Sequence, residues 1–136
     1  MSKTVAETQV LVFRLEDKRY CVDIAHIDEI VDREKLTHLP DAKPHVEGLM
    51  DLRGTTTTIV NPKTVLGLDD SETGDRVVVF ETDDDASTGW LIDEVNEVVG
   101  VDEDGLDESV ESDSVRGVVR RDDDFVIWVK PSAIHD

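Results

Sequence analysis

Apolar residues fall in short, dense runs along this chain, separated by brief polar stretches. Residues 8–15 are rich in β-branched side chains, with Val10, Val12 and Phe13 placed to pack inward. After Glu16 and Asp17, residues 18–22 return as the second arm of a hairpin. Asp23 can then cap a short helix whose apolar positions, Ile24, Ile27, Ile30 and Val31, share one helical face, with Asp28 and Glu29 opposite. Residues 37–40 leave in extended form, and Pro44 closes a loop. Residues 46–53 and 55–60 read as two strands joined at Gly54, which suits a tight turn or a bulge. The four threonines from Thr55 to Thr58 keep β propensity while lowering apolarity. Pro62 fits the first turn of a short helix over residues 63–66, which Gly67 terminates.

The second half is almost entirely strand. Residues 76–81 and 88–101 flank an acidic tip, Asp83, Asp84 and Asp85, while residues 114–121 and 125–130 flank another, Asp122, Asp123 and Asp124. Residues 102–113 are too acidic and too poor in apolar positions for a core, and are expected to form a mobile loop. Residues 69–75 read as a solvated connection and as the boundary between two halves. Many short strands without βαβ alternation indicate an all-β fold, barrels or a sandwich.

Charge changes the picture more than composition does. The 136 residues carry 33 Asp and Glu against 14 Lys and Arg, a formal charge of −19. A surface of that sign cannot track a polyanion or an anionic membrane, which excludes nucleic acid and lipid headgroups as partners. With 4% aromatic residues, a base-stacking platform is excluded too. The apolar runs are too dense for a disordered chain, so the acidity points to a folded protein adapted to concentrated salt. No stretch has the ~18 consecutive apolar residues of a membrane span, and residues 1–9 lack the apolar core of a signal peptide. Cys21 is the single cysteine. It reads as a small core residue in a reducing, cytoplasmic setting.

Candidate chemistry is sparse. His26, His38, His45 and His135 lack metal-ligand spacing, and no cysteine pair supports zinc. Asp102, Asp104 and Gly105 begin like a calcium loop, but the glycine falls at the wrong place and Asp113 stands where glutamate is needed. Gly48 and Gly54 have no following lysine and hydroxyl of a phosphate loop, and no serine sits in a nucleophile turn. Abundant paired carboxylates are solvated charge in so acidic a chain. The residues therefore indicate no enzyme, no cofactor and no metal.

Two stretches stand out: residues 26–30, which set acid beside an apolar face, and residues 48–54, which isolate Arg53 between apolar Leu52 and Gly54. Together with the ordered strands they resemble the CheW family of chemotaxis coupling proteins. The opening strand matches at Leu11, Val12, Phe13 and Leu15, and the next run at Tyr20, Val22, Asp23 and Ile24. Ile27, Glu29 and Ile30 follow, then Gly48, Asp51, Leu52, Arg53 and Gly54. Later come the run from Gly89 to Val95, the stretch from Val115 to Val118, and a last strand from Phe125 to Val129. The chain departs from the family pattern at Asp51, where asparagine is usual, at Thr58, Val60, Asn61 and Pro62, and in its nearly absent C-terminal helix.

The resemblance implies a single domain over residues 1–136 made of two packed, five-stranded, SH3-like barrels with short helices in the connections. The expected barrel regions are residues 8–68 and 75–131. It also implies a non-enzymatic cytoplasmic adaptor that bridges chemoreceptor tips to the regulatory domain of the CheA histidine kinase at membrane-associated receptor clusters. The kinase domain would bind one edge and the receptor's helical hairpin a groove between barrels. Ile27, Glu29, Leu52 and Arg53 are the receptor-side candidates. The bland alternative for Arg53 is a buried charge paired with a carboxylate such as Asp51. Two other readings remain at this stage, a stand-alone fragment of the kinase regulatory domain and a small ligand-binding β-barrel.

Overall fold

Strand alternation, and what each face meets, organises the molecule. The computed structural model describes residues 7–80, 87–121 and 123–135. One five-stranded sheet runs in the order β8 (Glu94–Asp102), β1 (Glu7–Leu15), β2 (Lys18–Asp23), β10 (Asp124–Val129), β9 (Val115–Arg121). The other runs β3 (Ile27–Asp32), β6 (Arg76–Phe80), β7 (Ser87–Ile92), β5 (Thr55–Val60), β4 (Val46–Leu52). Each is an SH3-like barrel with one parallel contact, β2 on β10 and β5 on β7. Successive side chains point to opposite faces, so β1 serves two cores. Val10 and Val12 fill the first barrel with Cys21, Val126 and Trp128. Leu11, Phe13 and Leu15 face away, into a layer between the barrels. From the other side, Val78, Phe80, Trp90 and Ile92 enter that same layer, while Val77, Val79 and Leu91 fill the second barrel. Strands buried on both faces read as continuous apolar runs, which accounts for the dense pattern.

The two barrels repeat one plan with reciprocal exchange. The β4–β5 hairpin and the β9–β10 hairpin have the same register, Gly48 corresponding to Gly117 and Val60 to Val129, with a bulge at the same place. After each comes a proline-started helical turn, α1 (Pro62–Val65) and α2 (Pro131–His135). Yet the first barrel takes β1 and β2 from the front of the chain and β8 to β10 from its end, while β3 to β7 build the second. The barrels therefore do not follow the expected regions 8–68 and 75–131. Residues 69–75 are no boundary either, since they join α1 to β6 within the second barrel.

Three local expectations change for related reasons. Ile24–His26 is a single 3₁₀ turn capped by Asp23, whose carboxylate accepts from the Ala25 N–H at 2.9 Å. Residues 27–32 then form strand β3 rather than continuing a helix, because pairing with β6 supplies its ladder. The expected strand over residues 88–101 is two strands, broken at Asp93 where the chain crosses between barrels. Residues 102–113 are not a free loop. Leu106 enters the first core, and Asp107 exchanges backbone hydrogen bonds with Val118 at 2.9 and 3.0 Å. Glu103 accepts from the Thr8 hydroxyl at 2.6 Å and pairs with Arg116, whose guanidinium lies over Trp128. The acidic tip at 83–85 and Asp122 lie outside the described residues. Among the described residues no helix is long and apolar enough to cross a membrane.

Candidate functional site

Arg53 sits at the tip of the β4–β5 hairpin. Leu52 pairs with Thr55, so the turn has two residues, Arg53 and Gly54, both with positive φ, +49° and +85°. That is the turn type whose twist matches antiparallel strands, and it places a non-glycine residue in the left-handed region. Asp51 holds it by accepting from the Gly54 N–H at 2.8 Å. The Asp51 carboxylate thus serves the backbone, and Arg53 is not a buried partner of it. The Arg53 guanidinium projects outward, with 68% of its side chain exposed, and donates to Glu29.

Glu29 lies on β3 and Arg53 beyond β4, the two edges of the second sheet. They meet because the sheet curls on itself until its edges approach. The first barrel carries a counterpart: Glu97 on β8 pairs with Arg121 of β9 at 3.7 Å, again edge to edge. Around Arg53 the field is acidic. The hydrogen bond to Glu29 raises its pKa further, and the charge of Glu29, followed by those of Asp28 and Glu34, adds to that. Beside it lies a shallow hollow of about 220 Å³ lined by Thr37, Leu49, Met50, Asp51 and Thr56.

Of the four residues singled out from sequence, the fold brings Arg53 and Glu29 together. Leu52 is buried in the second barrel's core, and Ile27 packs on the layer between barrels. Both are scaffold for the pair rather than its surface. The Glu29 contact was not visible in the sequence, because helical spacing hid the strand that carries it. A second constellation gave no signal at all. Lys63, only 1% exposed, donates to Glu16 at 2.7 Å, to the Glu72 carbonyl at 2.9 Å and to Asp93 at 3.0 Å. Burial alone would lower its pKa, but the Glu16 and Asp93 carboxylates more than offset this and raise it. A cleft of about 650 Å³ opens beside it, edged by Arg14, Leu68, Asp69 and Asp75. Among the described residues, no three His, Cys, Asp or Glu side chains are grouped to hold a metal.

Comparison with known proteins covers the same span as these elements. Residues 9–136 match the CheW-like domain. The chain is similar to the chemotaxis protein CheW of Thermotoga maritima, 26% identical over 95% of this chain and 88% of that protein. It is also similar to the chemotaxis protein CheW of Bacillus subtilis, 25% identical over 94% of this chain and 86% of that one. Among solved structures, the scaffolding protein TtCheW from Thermoanaerobacter tengcongensis superposes with a TM-score of 0.80 at 24% identity, covering 92% of this chain and 90% of that one. That likeness establishes the two-barrel fold.

Proposed function

The chain belongs to the CheW family, and from that premise we propose that it is a non-enzymatic adaptor of chemotaxis signalling, linking chemoreceptor tips to the regulatory domain of the CheA kinase. Its work is affinity and geometry without bond chemistry, carried out in the cytoplasm at receptor clusters. The observation that supports the receptor-side assignment is the exposed Arg53–Glu29 pair, held at a rigid two-residue turn where the barrel closes. Arginine in such a position offers a planar fork to a partner's carboxylate or carbonyl groups. Glu29 orients the guanidinium and can in turn accept from a partner's donor. Leu52 and Ile27 hold the turn and strand from beneath.

Reversing the charge tests this. Arg53→Glu places a carboxylate against Glu29 and removes the fork, which should weaken binding to a receptor fragment by roughly 30-fold or more. The fold should survive, since Arg53 is solvent-exposed and its turn is held by Asp51. Binding to the kinase regulatory domain should stay as in the unaltered protein. Asp104→Lys, on the 3₁₀ turn Glu103–Gly105 of the other barrel, is the control and should leave both interactions intact. Isothermal titration with each partner reads the result. Receptor affinity unchanged in folded Arg53→Glu refutes the assignment.

A further inference from the structure

The chain crosses between the barrels twice, and the two crossings are built differently. The first, between β2 and β3, is the 3₁₀ turn Ile24–His26; the second, between β7 and β8, is Asp93. Strand register makes Ala25 the counterpart of Asp93, since each lies three residues after and two before corresponding residues, Val22 and Ile27 in one crossing, Trp90 and Val95 in the other. The position equivalent to Lys63, second residue of its helical turn after proline, is Ser132. Ala25 and Ser132 are both exposed. The fold therefore closes one crossing with no ion pair between these positions and the other around a buried ammonium.

That ammonium ties three elements of different origin. Glu16 belongs to the β1–β2 turn of the first barrel, Lys63 to the helix after β5 of the second, and Asp93 to the crossing itself. By contrast, Arg14–Glu94, Arg19–Asp124 and Arg116–Glu103 each stay within the first barrel, and Arg53–Glu29 and Arg76–Asp32 within the second. Glu16 holds a left-handed backbone, φ +59°, and its N–H donates to Asp93 at 2.6 Å. Such a conformation in a non-glycine residue persists where its surroundings over-determine it. All three ammonium protons have protein acceptors, so the cluster has no donor left for a ligand in the cleft. A buried ion pair adds little stability over well-packed apolar groups, and its better-attested use is to fix one arrangement among several.

We propose that Lys63, with Glu16 and Asp93, is a latch that sets the angle between the two barrels, leaving the crossing at residues 23–27, where exposed Ala25 stands in the place of Asp93, as the compliant side. Lys63 is thus a positioning residue for any partner that must touch both barrels at once. Only this last link rests on the adaptor reading, in which the receptor hairpin spans both barrels and the kinase domain docks on one edge.

The test measures the angle directly on the free protein. Spin labels at Thr56→Cys on the second barrel and Glu108→Cys on the first report their separation by pulsed electron resonance, with buried Cys21 left unlabelled. Lys63→Met should shift or broaden that distance distribution by about 2 Å, and Lys63→Arg, which keeps the charge, should restore it. If Lys63→Met does not fold, Glu16→Gln takes its place, with the same shift expected. A distribution identical to the unsubstituted protein's overturns the latch, whatever the receptor does. Receptor-fragment affinity should fall about 5-fold or more in the latch variant, with kinase-domain affinity unchanged. A shifted distribution with both affinities unchanged overturns the positioning role while leaving the adaptor reading standing.

Discussion

Raising potassium chloride from about 0.1 M to about 1 M should stabilise this protein, because it shortens the Debye length from ~10 Å to ~3 Å. The accessible surface is 7980 Å², that of a sphere of about 25 Å radius, and −19 charges spread over it cost about 30 kcal/mol in salt-free water. Screening reduces that to about 9 kcal/mol at the lower salt and about 3 at the higher. The unfolded chain repels itself too, so roughly half of the 6 kcal/mol difference, about 3 kcal/mol, reaches the folding equilibrium. Surface pairs such as Arg19–Asp124 and Arg76–Asp32 weaken with salt, but exposed pairs contribute about 0–1 kcal/mol each at most. Repulsion wins, and the melting temperature should climb by about 10 °C. Calorimetric melts across a potassium chloride series read this directly. A flat or falling melting temperature would mean that the ion pairs already neutralise the field locally, and the charge argument would fail.

Three further outcomes follow from local geometry. Gly48→Ala should cost about 2–3 kcal/mol in urea unfolding, since φ is +151° and a Cβ would lie 2.5 Å from the Thr37 carbonyl oxygen, which is pinned by accepting from the Leu49 N–H at 2.8 Å; equal stability would show that the Thr37 bridge gives way freely. Cys21, buried and with its thiol pushed up to about 12 by desolvation, should resist iodoacetamide at pH 8 in the native protein and react once unfolded; rapid native labelling would refute the core assignment. Stability should decline at both pH extremes. The Thr8 hydroxyl and Arg116 hold the Glu103 carboxyl below its ordinary 4.5, and the Ser109 hydroxyl and N–H hold Asp107 below 3.8, so their contributions exist above those ordinary values and vanish as pH falls through the lowered ones. Lys63 is raised above 10.5, so its contribution is full below that and is lost as pH rises through the folded value. Urea midpoints at pH 3 and pH 11 matching those at pH 6 would contradict both signs.

The hairpins were legible because their determinants are local. Glu16 and Asp17 between apolar runs, Gly54 after Arg53, and Pro62 after Asn61 each fix a turn or cap within a few residues, and the structure places all three there. Helical spacing misled at residues 24–31, where Ile24, Ile27, Ile30 and Val31 satisfy a helix as well as a strand with a bulge. The register with β6 decides between them, and that partner is some fifty residues away. Residues 102–113 looked too acidic for a role in packing, yet one apolar residue, Leu106, and one backbone bridge to Val118 suffice to hold them.

By itself the sequence determined most of the strands, the tight turns, the net charge and, through an ordered set of motifs, the family. These are sums and patterns along the chain, and they need no knowledge of what lies across a sheet. The tertiary structure alone decided which strands share a barrel. Val10 and Leu11 are equally apolar, and only the exchange of β3 to β5 for β8 to β10 tells which core each one fills. It alone brought Arg53 to Glu29, because edge-to-edge closure joins residues that no periodicity links. Lys63 shows the same limit most sharply. A lysine after proline reads as solvent-exposed, and it is buried here because two carboxylates and a carbonyl, from three separate stretches of chain, converge on one ammonium.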